Sequence, residues 1–316
     1  MALDPKIAQL VEWTRRASRG NYARMSPQAA RDHYARAVLT LDVAPIPMAE
    51  VHDHRVELGD RTIDIRQYAP RPLSWVDPLP GLLYFHGGGF TIGSIQTHDR
   101  VCRALAAGAG CQVLSVDYRL APEHRFPSAH DDAFDSLHGV RSEAASLGLD
   151  ASRLAVGGDS AGGTLAATTA LHARDRGIGL ALQLLIYPGA SSHQDTESHR
   201  RLATGYLLDA EVIQWFFGNY LREEADRLDW RFAPLLATLE GVAPAWIAVA
   251  QYDPLRDEGV EFARRLEAAG VDVELVEYPG MIHAFFQHGG YVATARRAHS
   301  EASAALARAL GTRPLG

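Results

Sequence analysis

The chain of 316 residues has a single lysine, Lys6, and only two cysteines. No apolar run approaches the roughly 18 residues that a transmembrane helix needs. Each scarcity excludes something. A net charge of −7 gives no reason to expect nucleic acid or an anionic membrane surface as a partner. Two thiols in a chain this long, Cys102 and Cys111, point to free buried residues in a reducing compartment, not to a disulfide framework. The stretch Met1-Ala-Leu-Asp-Pro-Lys-Ile-Ala8 has neither a signal-peptide apolar core nor a cleavage-like site. A soluble cytoplasmic protein is expected. Repeats and low-complexity segments are missing too.

What is present is a regular alternation. Helices are expected over 4–18 and from Ser26-Pro27, an N-cap followed by proline at the first helical position, to Leu41. Strands near 51–58 and 61–69, joined at Gly59-Asp60, form a hairpin. The apolar run Leu82–Phe85 is a central strand. A helix over 97–108, a strand over 112–117 and a helix over 128–147 follow it. Then come a strand at 153–157, a helix at 161–174 and a strand at 181–187. Strands at 245–250 and 272–278 alternate with helices at 257–269 and 291–310. Eight strands separated mostly by helices imply an α/β fold, a mostly parallel sheet covered on both faces with the hairpin at its edge.

Residues 190–232 break this rhythm and are too long for an ordinary crossover. With the N-terminal helices they are expected to form a helical cap over the carboxyl ends of the strands. The expected division is 1–45 and 190–232 for the cap, and 46–189 and 233–316 for the core.

The chemistry gathers at Gly158-Asp-Ser-Ala-Gly162, a Gly-x-Ser-x-Gly pentapeptide between an expected strand and an expected helix. A turn this tight holds its serine in a strained conformation with the hydroxyl above the sheet. Such a serine needs a base, and the base needs a carboxylate to fix its tautomer. The chain order serine, acid, histidine is met by Ser160, Asp253 and His283, with the last two each just past an expected strand. Asp257 is the rival acid, better explained as a first-turn residue of the next helix. His288 is the rival base, with no strand end behind it. The loop His86-Gly-Gly-Gly89 offers Gly88 and Gly89 as backbone donors to an oxyanion, together with Ala161 after the serine. His86 itself is expected to tie down this loop, and Asp117-Tyr-Arg119 with Glu123-His124 to support it by hydrogen bonds.

Two weaker patterns are set aside. His52-Asp-His54 puts two imidazoles on one face of a strand, but no further ligand is near, so no metal is expected. Gly88 to Gly93 lacks the spacing of a dinucleotide loop.

Four blocks together resemble the hormone-sensitive-lipase-like α/β hydrolases, the bacterial family IV esterases. They are His86-Gly-Gly-Gly89, Asp117-Tyr-Arg-Leu-Ala-Pro-Glu-His124, Gly158-Asp-Ser-Ala-Gly-Gly163, and Asp253-Pro-Leu-Arg-Asp257 with His283. The resemblance implies an α/β-hydrolase fold with a two-part cap, a carboxylesterase of small acyl esters, and no cofactor; it leaves room for a homodimer. Phe90, Leu207, Trp215 and Phe286 are candidates to contact substrate, and Phe216 and Phe217 either line an acyl pocket or pack the cap. An amidase or peptidase of the same fold stays open. A non-catalytic small-molecule receptor is the contrasting class; plant hormone receptors of this fold have lost the triad histidine, whereas His283 is present here.

Overall fold

The computed structural model describes residues 2–16, 22–59 and 61–314. The end of the expected first helix and Asp60 of the expected turn lie outside them. At the centre is an eight-stranded sheet in the order β1-β2-β4-β3-β5-β6-β7-β8. Its strands are β1 (Glu50–Glu57), β2 (Thr62–Ala69), β3 (Leu79–Phe85), β4 (Gln112–Val116), β5 (Leu149–Asp159), β6 (Gln183–Ile186), β7 (Ala245–Tyr252) and β8 (Val273–Ile282). β2 pairs antiparallel with both β1 and β4, and the remaining neighbours pair in parallel.

Consecutive side chains on a strand point to opposite faces, and the core follows that period. Leu83 and Phe85, Leu154 and Val156, and Ile247 and Val249 enter one apolar cluster. Leu82 and Tyr84, Ala155, and Trp246 and Ala248 enter the other. The first cluster is closed by α4 (Ser128–Ser142), α5 (Ala161–Asp175) and α8 (Arg256–Ala268), through Leu137, Leu165 and Phe262 among others. The second is closed by α3 (Ile95–Ala109) and α9 (Ala293–Leu310), through Leu105 and Leu306. Each fully buried Leu, Ile or Phe contributes about 1.5–3 kcal/mol of transfer free energy, so both faces hold the sheet.

Several boundaries differ from the expected ones for identifiable reasons. α3 starts at Ile95 because Ser94 and Thr97 form a reciprocal capping box. α4 stops at Ser142, and Leu147 and Leu149 are buried where the chain swings round to feed β5. β8 runs on through Pro279, which is tolerated on an edge strand because no ladder donor is needed there.

The N-terminal segment splits in two. α1 (Pro5–Arg16) docks on the body, with Ile7 in the second cluster and the Asp4 N–H donating to the Gly280 carbonyl at 3.1 Å. α2 (Pro27–Leu41) contributes Ala30 to a small third cluster with Ile92, Val212 and Phe216. The last two come from α7 (Ala210–Tyr220), which follows the short α6 (Glu197–Arg201) in the segment that broke the rhythm. No helix among the described residues is long and apolar enough to cross a membrane.

Candidate active site

Four loops leave the carboxyl ends of β3, β5, β7 and β8, the side of a parallel sheet where site residues gather. They carry His86 to Gly89, Ser160, Asp253 and His283.

Ser160 sits between β5 and α5 with φ 55° and ψ −121°, a conformation L-residues rarely adopt. The turn is possible because of its glycines. A Cβ on Gly162 would run into the Phe85 and His86 carbonyls, and one on Gly158 into Gly162 and the Phe85 carbonyl. The Ser160 N–H is held by the Ile186 carbonyl at 2.8 Å, and the Ser160 carbonyl accepts from the Thr164 N–H at 3.0 Å. Because the peptide is trans, the Ala161 N–H points away from that bond, outward from the α5 N-terminus.

His283 Nε2 lies 2.9 Å from Ser160 Oγ, and His283 Nδ1 lies 2.6 Å from Asp253 Oδ2. Asp253 is fully buried, and its other oxygen accepts the Leu255 N–H at 2.9 Å. The ring of Tyr187, another residue with positive φ, backs His283 at 4.8 Å between centroids. The three side chains therefore form one continuous line of hydrogen bonds, with the carboxylate at the dry end and the hydroxyl at the loop end.

The rivals lie outside this line. Asp257 accepts the Ser198 N–H at 2.8 Å and pairs with Arg256 at 2.7 Å. His288 is half-buried, and the loss of solvation there pushes its imidazole down to about 4.

The glycine loop turns through Gly88 (φ 122°), Gly89 (φ 56°) and Phe90 (φ 59°). The Gly88 carbonyl accepts from the N–H groups of Thr91 and Ile92 at 3.0 and 2.9 Å, so the Gly89 N–H points to the opposite side. His86 ties the loop down, as its position suggests. Its Nδ1 lies 2.8 Å from the Gly87 carbonyl, and its ring stacks on Tyr118 at 4.3 Å. Burial, reinforced by the neighbouring His98, pushes the His86 imidazole down to about 3. The Tyr118 hydroxyl donates to the His86 carbonyl at 2.7 Å, and Arg119 pairs with the buried Asp132 at 2.8 Å. Those polar groups of the Asp117 block hold loops together.

Of the four candidate substrate contacts, two have their rings in the core. Phe90 is 4% exposed and stacked on Tyr220 at 4.1 Å. Phe286 is 1% exposed and packed on His299 at 4.4 Å. Leu207 and Trp215 are half-buried, Trp215 edge-on to Phe216 at 5.2 Å. Phe216 lies directly over the glycine loop: a Cβ on Gly89 would land in its ring.

Among the described residues, no group of three or more His, Cys, Asp or Glu side chains is arranged to hold a metal ion. His52 and His54 bond instead to Glu50 at 2.7 Å and Gln67 at 2.8 Å. Both cysteines are free and buried.

Comparison with known proteins agrees with this architecture. Residues 82–287 match the family model of the alpha/beta hydrolase fold. The ethyl acetate hydrolase of Pseudomonas putida is 40% identical over 301 residues, covering 92% of this chain and 94% of that protein. The carboxylesterase NlhH of Mycobacterium tuberculosis is 44% identical over 271 residues, 84% of each chain. The solved structure of a hyperthermophilic esterase from Pyrobaculum calidifontis superposes with a TM-score of 0.92 at 37% identity, covering 98% of this chain and 99% of that one. The chain belongs to the α/β-hydrolase fold family, in its hormone-sensitive-lipase-like branch. It is a carboxylic ester hydrolase.

Proposed function

We propose that the chain hydrolyses short-chain acyl esters through a covalent acyl-enzyme on Ser160. The observation that carries this reading is the hydrogen-bonded line from Asp253 through His283 to Ser160 Oγ. Ser160 Oγ bonds to the ester carbonyl carbon while its proton passes to His283 Nε2. The oxyanion is held by the N–H groups of Gly88, Gly89 and Ala161, each such donor contributing on the order of 10²–10³ in rate. The intermediate collapses by breaking the bond to the alcohol oxygen, which takes the proton from His283. Water then repeats the sequence on the acyl-enzyme, with His283 as base, and releases the acid and Ser160. Asp253 keeps the imidazole in the tautomer that faces Ser160 and stabilises it when charged.

The preference for short acyl groups is supported by Phe216, whose ring stands over Gly89 where an acyl chain would extend. Trp215, edge-on to Phe216 at 5.2 Å, extends that wall, and the α2 and α7 segments act as the cap. Two measurements test the reading. Ser160→Ala should lower turnover of p-nitrophenyl acetate on the order of 10⁶-fold; substantial residual turnover would remove Ser160 from the role. Across a p-nitrophenyl ester series, activity should peak at short chains, and a maximum at long ones would overturn the substrate assignment.

A further inference from the structure

The residue before the serine, Asp159, has no part in the proton transfers above, yet it is buried at 3% exposure. One of its oxygens, Oδ1, gathers three partners. The Tyr84 hydroxyl donates to it at 2.7 Å, and the Gly87 N–H donates to it at 2.9 Å. His98 Nε2 lies 3.3 Å away. Tyr84 and His98 are fully buried. From His98 the polar contacts continue to Gln287, whose Nε2 is 2.9 Å from the imidazole and whose Oε1 accepts the Tyr34 hydroxyl at 2.7 Å. One carboxylate thus touches the turn that carries Ser160 and the loop that carries Gly88 and Gly89. Through two side chains it also reaches the turn after His283 and helix α2. The contact between elbow and loop is close: a Cβ on Gly87 would run into Asp159.

A buried carboxylate is costly unless it is paired and hydrogen-bonded. Burial alone would push Asp159 up, but the neighbouring His98 imidazole and the Tyr84 hydroxyl outweigh it and hold the carboxyl below its ordinary range. Its Oδ1 links the elbow to the glycine loop through the Gly87 N–H. We infer that Asp159 is a positioning residue: by accepting the Gly87 N–H it sets the distance between the glycine loop and Ser160, and so aims the oxyanion donors at the reacting carbon. The inference rests on the proposed role of Gly88 and Gly89 as those donors.

The test compares Asp159→Ala with Asp159→Asn in the full chain. Active sites are titrated with a p-nitrophenyl phosphonate, so that kcat refers to folded, competent enzyme only. Removing the acceptor should lower kcat per titrated site for p-nitrophenyl acetate by at least tenfold, and up to about 10³-fold, the scale of a misplaced oxyanion donor. KM should stay within about threefold, because the donors act mainly in the transition state. Asparagine keeps an oxygen for Gly87 and Tyr84 and should restore at least half of that loss on a logarithmic scale. A fall of less than tenfold in the alanine variant, or an asparagine variant no better than alanine, overturns the inference. If Asp159→Ala gives no soluble protein, Tyr84→Phe removes one bond to the same oxygen and should lower kcat about three- to tenfold at unchanged KM; an unchanged kcat overturns it equally. A failure of the Ser160 reading looks different: phosphonate labelling would survive Ser160→Ala, however the Asp159 variants behave.

Discussion

Ser198 and Asp257 hold each other from both sides. The Ser198 N–H donates to Asp257 Oδ2 at 2.8 Å, and the Asp257 N–H donates to Ser198 Oγ at 3.2 Å. The same Ser198 hydroxyl donates onward to the Pro254 carbonyl at 2.6 Å. The short helix α6 is thereby clamped to the loop on which Asp253 stands. Asp257 is occupied by this clamp, which gives a rival acid a structural task.

Ser198→Ala deletes the hydroxyl that links both partners and leaves the Pro254 carbonyl and the Asp257 N–H without it in a buried place. The expected cost is about 1–3 kcal/mol of stability, as for other buried groups left unpaired. Denaturant unfolding reads the loss directly. A variant as stable as the parent would mean that the clamp is redundant.

Phe216 and Gly89 give the second expectation. On the proposed function, the ring stands where an acyl chain leaving the glycine loop would run, so Phe216→Ala should admit longer chains. Each newly accommodated methylene is worth about 0.8 kcal/mol, or roughly fourfold in kcat/KM. The p-nitrophenyl series should therefore shift its maximum by several carbons while acetate hydrolysis changes little. An unchanged chain-length profile would move the pocket wall elsewhere.

The parts of the site that were legible in the sequence are those held by local geometry. Ser160 was readable because its glycines, its strand and its helix adjoin it in the chain, and Asp253 and His283 because each follows a strand end. The layered sheet was readable because side-chain period and burial coincide in strands such as Leu82–Phe85. Partner choice among buried polar groups was not. His98 lies on the buried face of α3 beside Val101 and Cys102, and nothing in that spacing says that it faces Asp159, Gln287 and Thr97. The aromatic residues were ambiguous for the same reason. Phe90 and Phe286 are as apolar as Phe216, but only tertiary packing decides which ring goes to the core and which stands over the loop.

Gly162 is a third point of test, because its requirement is steric and not chemical. A methyl group there meets the backbone carbonyls of Phe85 and His86, and neither can rotate aside. Gly162→Ala must push β3's loop away from the α5 N-terminus or distort the elbow. Overpacking of this kind costs typically about 1–3 kcal/mol, and here the shift falls on the glycine loop as well. Both stability and kcat should drop together, measured by unfolding and by turnover per titrated site. Full activity in a stable Gly162→Ala protein would show that the loop has slack.

Acid should weaken the fold, and the sign follows from buried imidazoles. Burial pushes His86 and His130 down to about 3, and His288 and His299 to about 4. The unfolded chain protonates these rings near the ordinary value of about 6.5, while the folded chain does not until pH reaches the lower values. Between the two, the unfolded state binds more protons, so stability is full above about 6.5 and is lost as pH falls towards 4. Four carboxyls oppose this. Burial raises Asp42 to about 6 and also raises Glu258, Asp117 and Asp131, so the folded chain takes up their protons early. Burial lowers His172 and His199 as well, and six lowered imidazoles against four raised carboxyls leave stability falling as pH falls through that window. Denaturant unfolding at pH 7, 6 and 5 measures the slope. His299→Gln, which keeps a donor for the Phe286 carbonyl that His299 Nε2 meets at 2.7 Å, should flatten it by about 1.4 kcal/mol per pH unit. A parent stability that is flat from pH 6.5 to 4.5 would mean that these rings charge without cost, and that water or a carboxylate reaches them in the folded chain.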